Sequence, residues 1–366
     1  MGALRLHFRT AAILLALALP ARAAVESVRF DSDVLPPVAR LPERLTPFEG
    51  AFRAGLQSMP EGPLILSGMM LARDELGLTD ERFNELAPLI TDAYAAIAAD
   101  PNFAGVPSAL PYCFVTDPHD AGHYFLYRPE SLPADPKCIV FLHGYGGNFK
   151  FYMWALKEAF PAAVILAPSW GLSWHRGDPH YVEAMLADAR RRTGAALDRP
   201  WLMAISAGGR GGFAVYNAMG DDFRGYVCLA SAPMTANARR LRPDLRILMI
   251  NGARDRMVPP EAARRQARLA RRRVPTLRYE ELDGTHFFFL SHREAMFERV
   301  RGFMEEVRTD EAGVGLADEE MAGSKDEQMP WKGLVALMGV GVLVLAVGIV
   351  VRRRRRPCNR STKGLH

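Results

Sequence analysis

Cysteine is scarce in this chain, four among 366 residues, and Cys113, Cys138, Cys228 and Cys358 stand at no spacing that resembles a metal knuckle or a disulfide framework. That excludes a small zinc- or disulfide-stapled scaffold and leaves Cys138 and Cys228, inside apolar runs, as small buried thiols. No glycine-rich segment ends in the G-K-[ST] of a phosphate-binding loop, which excludes that kind of nucleotide site. Internal repeats are missing too. Positive charge is concentrated at the two ends: residues 1–23 carry three basic and no acidic side chains, residues 331–366 carry eight and none, and the formal +5 therefore leaves −6 between them. A mildly acidic middle argues against nucleic-acid binding, and "RRQARLARRR" from Arg264 to Arg273 reads as a solvated helix face.

Long hydrophobic runs occur only near those ends. In residues 1–23, Arg5 and Arg9 precede an apolar stretch from Ala11 to Leu19 and a small-x-small site at Ala21-Arg22-Ala23, the pattern of a cleaved secretory signal peptide. Residues 333–351, "GLVALMGVGVLVLAVGIVV", are long enough to cross a bilayer as a helix, with Trp331 at the interface and Arg352 to Arg356 opening a basic cytoplasmic tail over 352–366. Residues 309–332 form an acidic tether before it. The expected arrangement is a single-pass cell-membrane protein whose folded part is extracytoplasmic. The same hydrophobic-then-arginine end also resembles a bacterial sorting tail that is removed after export.

What lies between is ample for a large core, since 49% of the chain is hydrophobic. Residues 24–105 show no strand pattern and read as a helical extension. Phe48, Phe52 and Leu56, and again Leu86, Ile90 and Tyr94, fall on one helical face. Thr79 before Asp80 and Glu81 marks a helix start, and Pro88 predicts a kink or a break. Residues 106–308 alternate strands and helices, with strands predicted at Tyr112 to Val115, Tyr124 to Tyr127, Cys138 to Leu142, Ala163 to Leu166, Trp201 to Ile205, Tyr226 to Leu229, Arg246 to Ile250 and Leu277 to Glu281. Continuous apolar strands separated by helix-length segments predict an α/β fold: a mostly parallel eight-stranded sheet with helices on both faces.

Four pieces of chemistry sit at predicted strand ends, where the crevice of such a sheet lies. Ser206 follows the strand "WLMAI" and opens "SAGGRGG", a strand-to-helix turn that needs small residues two before and two after the serine; Ala204 and Gly208 occupy those places. Asp255 follows an apolar strand in "INGARDRMVPP", where an acid can orient a histidine or cap a turn. His286 follows the last strand in "DGTHFFFL", and a histidine before three phenylalanines also suits a buried core position. In "FLHGYGGN" the glycine-rich backbone after His143 can offer an oxyanion an N–H, paired with that of Ala207, while His143 is better suited to bracing the loop. The joint order Ser206, Asp255, His286, each after a predicted strand, makes them one candidate site.

Through "FLHGYGGN", "APSWG", "DRPWLMAISAGGRGG", "INGARDRMVP" and "DGTHFFF", residues 111–306 resemble the α/β-hydrolase family, serine esterase type. The nearest branch is that of phospholipase/carboxylesterases, dienelactone-hydrolase-like enzymes and feruloyl or polyhydroxybutyrate esterases. The resemblance implies Ser206 as nucleophile, His286 as general base and acid, Asp255 as its orienter, and Tyr145 and Ala207 as oxyanion donors. Trp170 and Trp174, in the loop after the predicted strand Ala163 to Leu166, are candidate substrate contacts. His175, Asp178 and His180 share that loop without a defined ligand geometry, so neither metal nor cofactor is expected. The expected partner is a small-molecule or lipid ester. A peptidase on the same fold would use the same three residues, and a non-catalytic binding module at the membrane is the other alternative, which the intact Ser206, Asp255 and His286 disfavour.

Overall fold

Every residue of "CIVFL", "VILAP", "WLMAI", "GYVCL" and "ILMING" is buried, as a sheet covered on both faces requires. These are β3 (Cys138–Leu142), β4 (Val164–Pro168), β5 (Trp201–Ile205), β6 (Gly225–Leu229) and β7 (Ile247–Gly252) of an eight-stranded sheet. Its other members are β1 (Ala24–Phe30), β2 (Gly122–Arg128) and β8 (Arg278–Leu282), and the order is β1-β2-β4-β3-β5-β6-β7-β8. β2 runs antiparallel to β1 and β4; every other pairing is parallel. The structure is a computed structural model that describes residues 23–310 apart from 38–46, 48, 72, 75, 77, 115–118 and 134–135. The signal peptide, most of the acidic tether, the hydrophobic span 333–351 and the basic tail lie outside the described residues. Among the described residues no helix is long and apolar enough to cross a membrane.

The alternation of side chains along each strand sorts the core into two layers. Ile139, Phe141, Met203, Ile205, Val227 and Ile250 face one layer, closed by α5 (Lys150–Ala159) and α11 (Arg293–Asp310). Val140, Leu142, Leu202, Ala204, Cys228 and Met249 face the other, closed by α6 (Pro179–Thr193), α7 (Ala207–Ala218) and α9 (Pro260–Arg271). The described cysteines, Cys113, Cys138 and Cys228, are buried free thiols, and burial pushes each of them up to about 12. Short helices α4 (Leu110–Cys113), α8 (Thr235–Ala238) and α10 (Phe288–Ser291) sit in the connections.

Two sequence expectations are corrected here. Ala24–Phe30 is a strand, paired along its length with β2, so the segment read as a purely helical extension begins inside the sheet. It is an edge strand: Val25, Val28 and Phe30 are buried while Ser27 and Arg29 face out, and so mixed a run has no continuous apolar signal. Conversely, Tyr112 to Val115, predicted as a strand, begins in α4, where Pro111 occupies the first turn, a place that suits proline because no intrahelical N–H is lost. A short apolar run does not separate the two states by periodicity.

Further along, the extension contains three helices: α1 (Glu49–Ser58), α2 (Glu61–Leu71) and α3 (Asp80–Ala99). Thr79 caps α3, accepting from Arg82 N at 3.3 Å. The helix runs unbroken through Pro88, whose ring is exposed while Leu86, Ile90, Ala93 and Ile97 pin the opposite face to the domain. Packing on that face outweighs the one backbone hydrogen bond that proline removes.

Candidate active site

Along the sheet, β3 is followed by a move to β4 on one side and then to β5 on the other, which opens a crevice beyond the carboxyl ends of β3 and β5. Register places Leu142, the last residue of β3, against Ala204, so the segment after β3 and the turn after β5 emerge together. Ser206 sits on that turn at φ +54°, ψ −121°, a conformation that L-residues other than glycine rarely adopt, and its N–H donates to Leu229 O at 2.8 Å. The glycine two residues on is sterically required: a Cβ on Gly208 would lie 2.4 Å from His143 O and 2.5 Å from Leu142 O. Ala204 is fully buried in the layer beneath α7, where its methyl is accommodated.

The other two groups arrive on loops sewn to one another. Ala253 N donates to Leu282 O at 2.8 Å and Arg254 N to Gly284 O at 2.9 Å, joining the segment after β7 to the end of β8 and the loop that follows it. Asp255 and His286 are thereby brought into contact, both almost fully buried. Asp255 Oδ2 lies 2.7 Å from His286 Nδ1, and His286 Nε2 lies 2.9 Å from Ser206 Oγ. With Nδ1–H donating to the carboxylate, Nε2 is left to accept from the serine hydroxyl. The two readings of Asp255 turn out to be compatible, because Oδ1 accepts from Met257 N at 2.8 Å and Val258 N at 2.9 Å. The turn cap aims the second oxygen at the histidine.

Gly144 packs on Ser206, where a Cβ would lie 3.3 Å from the serine Cβ, and Tyr145 follows on the cavity rim. Ala207 opens α7, so its N–H is among the first amides of a helix and has no acceptor within it. His143 is fully buried and its pKa is lowered to about 4 by that burial, which keeps the ring neutral. Its Nδ1 lies 2.8 Å from Gly144 O, and its Nε2 accepts from Trp170 N at 3.0 Å. The ring braces the loop against the segment after β4.

Trp170 and Trp174, expected to contact substrate, do not line the cavity beside Ser206. They are buried in the core, stacked with ring centroids 5.2 Å apart and packed on Tyr181, and Trp174 Nε1 donates to Pro168 O at 3.0 Å. Trp174 O also lies where a Cβ on Gly211 would have to be, so this loop locks onto α7. Burying two large rings outweighs leaving them in water by several kcal/mol. Asp178 caps α6, His175 pairs with Ser173, and His180 with Glu183. Among the described residues no group of three or more His, Cys, Asp or Glu is placed to hold a metal ion.

A cavity of about 120 Å³ opens at Ser206 and His286. Phe287, Phe289 and Leu290 line it while Phe288 turns into the core, so the phenylalanine run after His286 divides between site and interior. The opposite wall comes from α2 and α3, through Ile65, Gly68, Met69, Ile90 and Tyr94. Sequence reasoning placed Ile90 and Tyr94 on one helical face without assigning that face to the site. It also passed over Glu61, buried at the start of α2. Glu61 accepts hydrogen bonds from Tyr94 Oη and Ser108 Oγ, and from Lys150 N at 2.6 Å. Phe149, the N-cap of α5, makes no side-chain cap bond, so this carboxyl from another helix caps α5 in its place. Burial raises the Glu61 pKa, opposed by its bonds to Ser108, Tyr94 and Lys150.

A nucleophile-type turn after β5, a buried acid after β7 and a histidine after β8 of a mostly parallel sheet define an α/β enzyme architecture. The model of the Alpha/beta hydrolase family matches residues 77–299, and the chain belongs to that family. No curated protein matches the chain. Solved structures similar to it include the esterase Pf2001 of Pyrococcus furiosus, with 12% identity over 51% of this chain and 87% of that one and a TM-score of 0.43. The naproxen esterase (carboxylesterase NP) of Bacillus subtilis has 13% identity over 50% and 87%, TM-score 0.40. Est1E of Butyrivibrio proteoclasticus has 16% identity over 52% and 95%, TM-score 0.39.

Proposed function

We propose that the protein is a membrane-tethered, extracytoplasmic serine hydrolase that cleaves carboxylic esters through an acyl-enzyme. The observation that carries this reading is the hydrogen-bonded chain from Asp255 through His286 to Ser206 beside a half-open, apolar-lined cavity. Ser206 Oγ attacks the ester carbonyl as its proton passes to His286 Nε2, and the imidazolium is stabilised by Asp255. The carbonyl oxygen, now an oxyanion, accepts from the backbone N–H groups of Ala207 and Tyr145. His286 then returns the proton to the departing alcohol, and a water activated by the same ring releases the acid. The neutral His143 holds the loop that carries Tyr145. The tether rests on the hydrophobic residues 333–351 and the arginines after them, and the extracytoplasmic placement on the amino-terminal export pattern.

A fluorophosphonate probe should label the wild-type protein on Ser206 and leave Ser206→Ala unlabelled; equal labelling of both would remove Ser206 from the role. Mass spectrometry of the membrane-associated protein should recover peptides beyond Arg356 if the anchor is retained, and their absence from the mature protein would show the end to be a removed sorting tail.

A further inference from the structure

Resting on the esterase reading, we propose that the acyl half of the substrate is neutral, apolar and short, and that its size limit is set by α2 and α3 through Ile65, Met69 and Ile90. Among the described residues that line the cavity beginning at Ser206 there is no Asp, Glu, Lys or Arg. A charged acyl chain would lose its hydration there with nothing to replace it. The one polar tip that α3 could present is removed from the cavity, because Tyr94 turns its hydroxyl to Glu61 and leaves its ring in the wall. The cavity volume, about 120 Å³, compares with the roughly 150 Å³ of an apolar cavity that takes up benzene. A ring of that size or a short alkyl chain fills it.

The enclosed side is the acyl side for a kinetic reason. In an acyl-enzyme pathway the alcohol departs first and water must take its place, whereas the acyl group stays on Ser206 until hydrolysis. A half-closed wall of helices suits the half that stays, and an open approach suits the half that is exchanged. The wall also has a distinct origin. α2 ends at residue 71, before the family match begins at residue 77, and it is apolar on several sides, with Leu64 buried in one cluster and Met69 in another. Ile65 is only half-buried and faces the cavity, so its side chain changes volume with little disturbance of the core.

The test uses the wild type with Ile65→Ala and Ile65→Trp, on p-nitrophenyl esters from acetate to decanoate, an alkyl series of acetate esters, and a succinyl half-ester. One methylene in an apolar pocket changes kcat/KM by about 10-fold or more. Ile65→Ala should move the preferred acyl length upward and Ile65→Trp downward, each changing the long-to-short kcat/KM ratio by about 10-fold or more, with no such shift across the alkyl series. The succinyl ester should be the poorest substrate for all three. Unchanged acyl ratios, a shift confined to the alkyl series, or a favoured succinyl ester would overturn the proposal. Labelling of Ser206 by alkyl fluorophosphonates of increasing chain length gives the same size series without turnover and reports whether each variant is folded. A wild type that is neither labelled nor hydrolytic would instead defeat the esterase reading itself.

Discussion

The two walls of the cavity are held in place by opposite means. The wall that carries Ser206 and His286, made of the segments after β3, β5, β7 and β8, is fixed by backbone: Gly208 against two carbonyl oxygens, Ser206 at positive φ, and N–H bonds that tie residues 253 and 254 to the end of β8 and the loop before His286. The covering wall, made of α2 and α3, is held by interchangeable apolar contacts and one buried carboxylate, Glu61. Backbone constraints admit few residue types and therefore leave marks in a sequence. Apolar contacts admit many, so the same wall can change its shape, and its preferred substrate, without loss of the fold.

The comparison breaks first at the chemistry. Ser206→Ala should lower kcat by about a million-fold while leaving the thermal midpoint near that of the wild type, because the methyl fits the same turn. A steady-state ester assay with a denaturation curve measures both. Asp255→Asn should cost about ten-thousand-fold in kcat, since an amide in place of the carboxylate no longer fixes the tautomer of His286 or stabilises its cation. A parallel stability measurement would separate that loss from a disturbed turn at Met257 and Val258, whose N–H groups also bond to Asp255.

On the structural side, Gly208→Ala should destabilise by roughly 3 kcal/mol or more, because its methyl meets the backbone of β3 and the following loop and neither can yield. Urea midpoints read this directly. Glu61→Ala should cost roughly 1–3 kcal/mol by orphaning Lys150 N and the Tyr94 and Ser108 hydroxyls, and should raise KM more than it lowers kcat if the covering wall loosens. The smallest effect is Glu61→Gln, which keeps an acceptor for Lys150 and Tyr94 and gains a donor for Ser108. Because burial raises the Glu61 pKa, its contribution is fully present below the unfolded value of 4.5 and is lost as pH rises through the folded value. The Tm of Glu61→Gln relative to wild type should therefore increase from acid toward neutral pH, and a flat difference would remove Glu61 as the source.

How much of this was legible followed the same division. Seven of the eight strands coincide with predicted runs, six of them, β2 to β7, as stretches the sheet buries, and the loops carrying Ser206, Asp255 and His286 were identifiable because glycine and strand ends mark them. β1 was not, because an edge strand with Ser27 and Arg29 facing out has a mixed pattern, and its partner β2 lies about a hundred residues away. Trp170 and Trp174 misled because aromatic rings beside a strand end suit a substrate pocket and a core equally, and only the position of α7 and Tyr181 decides between them.

By itself the sequence determined the α/β alternation, the family, and which serine, acid and histidine compete for one site, since each depends on local backbone demands or on order along the chain. Tertiary structure alone decided that these three groups stand within hydrogen-bonding distance, and that a helix pair from before residue 100 closes the cavity over them. It alone also decided that Glu61 caps a helix 89 residues away. Those outcomes rest on which apolar faces meet, and apolar faces are too alike for their partners to be read from spacing.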